Sequence, residues 1–274
     1  AGEKEMTLTG LRTAPPRLVA TDLDGTFLDD AERVPLRLRR AVTRLDAAGV
    51  QLVLATGRPA RWVLPVVEQL TVRPLCLCGN GAVLFDSSTS RIVDIRTIDS
   101  QTQHFVVMVA RAALGEVGTA VERPDSFVVS DEFVHAWSSI EHAVQGEDVV
   151  LSQPAVKLLL RNHTLSSREM YDIVRPHIPE ERAHITFSID EGLLEVGPPG
   201  VNKAEGVARV AEQLEVQRED VLCFGDMPND SEMLSWAGIG VAMGNARPEV
   251  KAVADYVTAT NNDCGVADVL EYWF

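Results

Sequence analysis

Short aliphatic runs that stop abruptly in clusters of carboxylates, hydroxyls and amides recur along this chain, and that recurrence most restricts its fold. Arg17 to Ala20 leads into Thr21-Asp22-Leu23-Asp24-Gly25-Thr26, Val50 to Ala55 into Thr56-Gly57-Arg58-Pro59, and Val221 to Phe224 into Gly225-Asp226-Met227-Pro228-Asn229-Asp230. Each run has the length of a buried strand. Between the first two, Leu38, Ala41, Val42, Leu45 and Ala48 recur at helical spacing and Gly49 closes the segment, the pattern of an amphipathic helix with a C-terminal stop. Pro59 suits the first turn of another helix. A third strand, Leu75 to Cys78, turns at Gly79-Asn80-Gly81 into Ala82 to Phe85. Strand, helix, strand, helix, strand in that order implies right-handed crossovers and a parallel sheet, hence an α/β fold.

From about residue 86 to 190 the pattern changes. Strand-like runs at Arg91 to Ile95, Val128 to Val129, Val156 to Leu160 and Ile185 to Phe187 surround helical candidates near 101–114 and 165–175. This stretch reads as an α+β insertion. It holds all six histidines, His104, His135, His142, His163, His177 and His184, scattered as structural or surface residues are rather than spaced as metal ligands. After Leu193 to Val196 and the Gly197-Pro198-Pro199-Gly200 turn the α/β pattern returns. Asn202 with Glu205 forms a capping-box sequence, which places Lys203 at a helix N-terminus. A helix over Ser231 to Trp236, a strand near Ile239 to Ala242 and a helix after Asn262 complete the chain. The expected division is an N-terminal extension over 1–16, expected to be disordered, a core of 17–85 and 191–274, and an insertion of 86–190.

With 274 residues, 46% of them hydrophobic, the chain can bury a full core. No apolar run approaches the ~20 residues that span a bilayer, and residues 1–16 lack the layout of a signal peptide, so a cytoplasmic protein with no membrane partner is expected. A formal charge of -15 disfavours nucleic acid as a partner. It also means that an anionic substrate needs positive charge supplied locally. Cys76, Cys78, Cys223 and Cys264 contain no C-x-x-C pair and read as buried thiols.

In an open parallel sheet ligands bind beyond the carboxyl ends of the strands. Asp22 and Asp24, Thr56, and Asp226, Asn229 and Asp230 all follow strands, and Lys203 heads the helix before the last of them. A phosphatase that works through a covalent intermediate needs a nucleophile, a metal ion, a fixed cation, and an acid that later serves as base. The clusters supply one of each. Hard oxygens and few carboxylates suit magnesium.

The sequences Asp22-Leu23-Asp24-Gly25-Thr26, Thr56-Gly57-Arg58, Lys203 and Gly225-Asp226-Met227-Pro228-Asn229-Asp230 resemble, in order, the four motifs of the haloacid dehalogenase superfamily. The Asn80-Gly81-Ala82 turn, the large insertion and the Asn262-Asp263-Cys264-Gly265-Val266-Ala267 stretch are similar to its Cof-like branch, subfamily IIB. The resemblance implies a Rossmann-like parallel-sheet core with an inserted α+β cap that selects substrate and closes over it. It implies Asp22 as nucleophile and metal ligand, and Asp24 as the acid and base whose backbone carbonyl also binds the metal. Asp226 would be a further ligand. Thr56, Gly57, Lys203 and Asn229 would hold the substrate phosphate, and Asp230 would orient Lys203 or a metal-bound water. Arg58 reads equally as a substrate contact or as the partner of a nearby carboxylate.

The expected activity is magnesium-dependent hydrolysis of small phosphorylated metabolites, sugar phosphates first, through an aspartyl phosphate. A phosphosugar mutase is the alternative, for which Arg123, Lys157 and Arg161 are candidate second-phosphate groups. A non-catalytic metabolite-binding regulator on the same fold is a third reading, disfavoured because every expected catalytic position is filled. Oligomeric state is left open.

Overall fold

The structure, a computed structural model, describes residues 10, 13–133 and 143–274. Much of the extension expected over 1–16 lies outside the described residues, as do His135 and His142. The chain forms two compact units, one of residues 1–93 and 203–274, the other of residues 94–202.

The first unit begins with β1 (Leu18–Thr21), α1 (Leu36–Ala47), β2 (Gln51–Ala55), α2 (Leu64–Val67), β3 (Leu75–Cys78), β4 (Val83–Asp86) and β5 (Arg91–Ile95). The second unit follows, with α3 (Ser100–Leu114), β6 (Gly118–Glu122), β7 (Phe127–Ser130), β8 (Ala143–Gln145), α4 (Glu147–Val150), β9 (Lys157–Arg161), α5 (Ser167–Val174), β10 (His184–Thr186) and β11 (Leu193–Gly197). The chain then returns to the first unit through α6 (Lys203–Gln213), β12 (Val221–Gly225), α7 (Ser231–Trp236), β13 (Ile239–Ala242), α8 (Pro248–Val253), β14 (Tyr256–Val257) and α9 (Gly265–Leu270).

The eight-stranded sheet has the order β14-β13-β12-β1-β2-β3-β4-β5. It is parallel from β14 through β3, and β4 turns back antiparallel on β3. Because both faces are covered, its strands read as near-continuous apolar runs rather than alternating ones. On one face Leu18, Ala20, Val53 and Leu77 pack against Val207, Val210 and Ala211 of α6 and Met233 and Leu234 of α7. The intervening Val19, Leu52 and Leu54 are buried too, and so are Leu38, Ala41, Val42 and Leu45, the apolar stripe of α1. Strand order reverses at β1, which has β2 on one side and β12 on the other. In such a sheet the crevice at the reversal is where polar loops from different strands converge. Cys76, Cys78 and Cys223 are buried and Cys264 is half-buried.

The second unit is an antiparallel sheet of order β10-β11-β9-β6-β7-β8, with only β7 and β8 parallel. Leu158 and Leu160 of β9 join Val106, Val107 and Ala110 of α3 and Met170 and Val174 of α5 in one apolar cluster, while Leu159 packs on the opposite face with Ala120, Phe127 and Leu193. That period-2 split is what a strand with two different faces requires.

Two boundaries differ from those expected. Residues 193–197 belong to the second unit, because β11 pairs antiparallel with both β9 and β10, so the insertion runs on to Asn202. At the other end β5 is the edge strand of the eight-stranded sheet, and the insertion starts at Asp94 rather than at residue 86. Of the basic residues considered for a second phosphate, Lys157 is paired with Glu195 at 2.5 Å, and Arg123 Nη2 donates to the carbonyls of Val149 and Val150. Among the described residues no helix is long and apolar enough to cross a membrane.

Candidate active site

The register of β1 with its neighbours sets the site. Thr21 lies opposite both Phe224 of β12 and Leu54 of β2, so the three strands end level and their polar loops meet. Asp22 is the first residue past β1, with its amide donating to the Phe224 carbonyl at 3.1 Å. The loop then closes as one wide turn, in which the amides of Phe27 and Leu28 donate to the carbonyls of Asp22 and Leu23. Gly25 sits at its apex with φ +73°, and a Cβ there would stand 2.2 Å from Asp226 Oδ2. Glycine is needed twice over, for the left-handed backbone and for the approach of the β12 loop.

In that second loop, Asp230 Oδ2 accepts from the amides of Asp226 (2.9 Å) and Met227 (3.2 Å), which ties the turn to its own side chain. Its other oxygen accepts from Lys203 Nζ at 2.7 Å, and the same ammonium donates to Asp22 Oδ1 at 2.8 Å. Lys203 and Asp230 are wholly buried. The Thr26 hydroxyl lies 3.4 Å from Asp22 Oδ2 and 3.2 Å from Asp226 Oδ1, and with one proton it serves one carboxylate at a time.

The electrostatics follow from three buried carboxylates sharing one ammonium. Burial, then the Asp230 charge, raises Asp22 to about 6 despite Lys203. Burial and the charges of Asp22 and Asp230 push Asp226 to about 10. Burial pulls Lys203 down, but Asp22 and Asp230 outweigh it and hold the ammonium above the ordinary lysine range. The cluster is short of positive charge. Oxygens of Asp22, Asp226 and Asp230 lie within 4.8 Å of one another, a hard-donor set that fits a divalent cation. Asp230 is committed to Lys203 and two amides, whereas Asp226 and the Asp22 oxygen not bonded to Lys203 could face such an ion.

The β2 loop brings Thr56, buried, with its hydroxyl accepting from the Arg58 amide at 3.0 Å, and the half-buried Gly57 beside it. Asn229 is buried and donates through Nδ2 to Asn80 Oδ1 at 3.1 Å. The Asp24 carboxylate stands apart from the cluster. Its side chain is 55% exposed, and both oxygens accept from Arg58, at 2.7 Å from Nε and 2.5 Å from Nη2. Glu32 takes a further bond from the same guanidinium. Of the two readings open for Arg58, the structure shows the carboxylate partner. Thr26 and Asn80 join the site although the sequence pattern points to no role for either. Only the return of β12 beside β1 reveals what Thr26 touches, and only the β3–β4 turn reveals the contact of Asn80.

A family model described as haloacid dehalogenase-like hydrolase matches residues 19–270. The chain is 28% identical over 270 residues to the 5-amino-6-(5-phospho-D-ribitylamino)uracil phosphatase YcsE of Bacillus subtilis, covering 94% of this chain and 95% of that one. It is 29% identical to phosphatase YwpJ of the same organism, covering 93% and 99%. In fold it is similar to a haloacid dehalogenase-like hydrolase from B. subtilis, with a TM-score of 0.81 at 24% identity over 94% of this chain and 100% of that one. It is likewise similar to the subclass IIB sugar phosphatase BT4131, with a TM-score of 0.77 at 21% identity over 93% and 98%. With the motif residues assembled at the sheet's reversal point and these likenesses running nearly end to end, the chain belongs to the haloacid dehalogenase-like hydrolases, in their Cof-like branch, as a hydrolase of phosphate esters.

Proposed function

We propose that this protein is a magnesium-dependent phosphatase of small phosphorylated metabolites that works through an aspartyl phosphate on Asp22. One observation carries the reading: Asp22 is buried, faces a fixed ammonium at 2.8 Å, and shares its pocket with Asp226 and Asp230. A carboxylate so placed has charge compensation for an incoming phosphate.

In the first step an Asp22 oxygen attacks phosphorus and the ester P–O bond breaks, while Asp24 gives its proton to the departing alkoxide. In the second, Asp24 takes a proton from water as the water attacks the acyl phosphate, which frees inorganic phosphate and restores Asp22. Lys203 offsets the phosphate charge, and Thr56, Gly57 and Asn229 hold its oxygens. Asp24 has to let go of Arg58 to reach a leaving group. Asp22, Asp226 and the Asp24 carbonyl would hold magnesium, which when bound neutralises phosphate charge. Substrate choice falls to the inserted unit. The named substrate of YcsE, a phosphorylated ribitylamino compound, favours phosphorylated sugars and alditols as the class to test first.

The test is phosphate release from a panel of phosphorylated sugars, alditols, nucleotides and cofactors, with and without magnesium, beside the Asp22→Asn protein. Magnesium-dependent release that vanishes in the variant supports the reading. Full activity in excess EDTA, or in Asp22→Asn, overturns it.

A further inference from the structure

The turn at Gly79-Asn80-Gly81 lies outside the four motifs, yet it is bonded to the loops that carry two of them and to the helix that carries a third. Asn80 donates its amide to the Thr56 carbonyl at 2.9 Å, and Gly79 donates to the Arg58 carbonyl at 3.0 Å. The Asn80 side-chain oxygen accepts from Asn229 Nδ2 at 3.1 Å. Arg209 Nη2 of α6, the helix that starts at Lys203, donates to the Gly81 carbonyl at 2.8 Å. On the same helix a Cβ at Gly206 would meet Leu77 at 3.1 Å and the Gly81 Cα at 3.3 Å, so α6 lies tight on the turn.

The backbone at Asn80 is left-handed, with φ 59°, and the residue is buried. Asparagine tolerates that conformation better than most residues, and glycine better still. A turn alone would be served at least as well by glycine. What asparagine adds is an acceptor aimed at Asn229. Asn229 itself is buried, and its Oδ1 has no partner among the described residues. One Nδ2 hydrogen is therefore anchored on Asn80, the second is the donor that can reach a phosphate oxygen, and Oδ1 can only accept.

We propose that Asn80 is a positioning residue: through its side chain it sets the orientation of the Asn229 carboxamide, and through its backbone it sets the height of the Thr56 loop. This rests on the reading above in which Asn229 and Thr56 hold the substrate phosphate. In this assignment Asn80 acts on the phosphate through those two residues rather than by contact.

The experiment is a double-mutant cycle on kcat/KM with Asn80→Gly, Asn229→Ala and the double variant, together with the NMR signals of the Asn229 side-chain amide in the wild type, Asn80→Gly and Asn80→Asp. Asn80→Gly keeps the backbone conformation and removes the acceptor. It should lower kcat/KM about three- to tenfold, the scale of one hydrogen bond, with its thermal midpoint close to wild type. The double variant should be no slower than the slower single one. The Asn229 amide signals should shift in Asn80→Gly and stay near their wild-type positions in Asn80→Asp, which retains the acceptor. Losses that multiply in the double variant, unchanged kinetics in Asn80→Gly, or Asn229 signals that do not move in Asn80→Gly would each overturn the assignment. A wild type that releases no phosphate from any ester overturns the phosphatase reading instead, and the Asn229 signals then decide the tether alone.

Discussion

Lys203 Nζ lies 2.7 Å from Asp230 Oδ1, with neither side chain exposed to solvent. Breaking a buried pair by removing one partner strands the other charge and costs about 3–5 kcal/mol, whereas removing both costs far less. Lys203→Met should therefore be strongly destabilised and inactive, and Lys203→Met with Asp230→Asn should regain part of the stability, Asp22 still lacking its ammonium, and none of the activity. Urea denaturation midpoints of the two proteins decide it. Equal midpoints would show that the pair is not stabilised as the geometry requires.

The carboxylate cluster makes the metal-free protein sensitive to pH in an unusual direction. Asp22 is raised to about 6 and Asp226 to about 10, against unfolded values near 4. Folded protein then holds more protons than unfolded chain above about pH 4, so the stability these groups contribute falls as pH rises, for Asp22 up to about 6 and for Asp226 on toward 10. In EDTA the thermal midpoint should drop between about pH 5.5 and 8.5, and added magnesium should restore it by an increment that grows with pH. Thermal scans across that grid, with and without metal, read it directly. An increment that shrinks with pH would exclude these carboxylates as the metal's ligands.

Asp22→Asn leaves Lys203 bonded to Asp230 and removes one of the repelling carboxylates. Its thermal midpoint in EDTA should equal or exceed that of wild type while activity falls on the order of a thousandfold or more. Asp24→Asn should behave differently with an activated ester such as p-nitrophenyl phosphate. The alcohol leaves without help, but water is not activated, and intact-mass measurement should show the phosphorylated protein accumulating. An unmodified Asp24→Asn protein under turnover would remove Asp24 from the second step.

Gly25→Ala forces a left-handed alanine and pushes its Cβ against Asp226 Oδ2. A cost of about 1–3 kcal/mol and a loss of magnesium affinity of about tenfold or more are expected, since the displaced carboxylate is one of the two proposed to hold the ion. Calorimetric titration of magnesium into the variant checks both the site and the strain.

In the second unit Lys157 and Glu195 are paired at 2.5 Å and are 10% and 5% exposed. Lys157→Met alone should lower stability by about 3–5 kcal/mol, and Lys157→Met with Glu195→Gln by distinctly less, as denaturant midpoints would show.

Much of the first unit was legible because its strands are buried on both faces and interrupted by polar loops. The helix at Ser231–Trp236 and the strands at Leu75–Cys78 and Ile239–Ala242, and in the second unit the helix at Ser100–Leu114, show at, or within a residue of, their bounds in the pattern alone. The strand Gly118–Glu122 was missed, since its Gly-Thr-Ala-Val-Glu sequence is short and weakly apolar, and only pairing on both sides, with β7 and β9, makes it a strand. The Leu193–Gly197 strand was visible, but not the sheet it joins. Strand pairing depends on partners distant in sequence, and local pattern is silent on them.

The sequence by itself determined the alternation of strand and helix and the residue types at each strand end, because burial period and loop polarity are local properties of the chain. Tertiary structure alone decided which of those residues meet. Lys203 and Asp22 are 181 residues apart in sequence and 2.8 Å apart in space. The parallel register of β1 with β12 and β2 aligned their carboxyl ends, and hydrogen bonds across those ends turned Asp24 toward Arg58, Asp230 toward Lys203 and Asn229 toward Asn80.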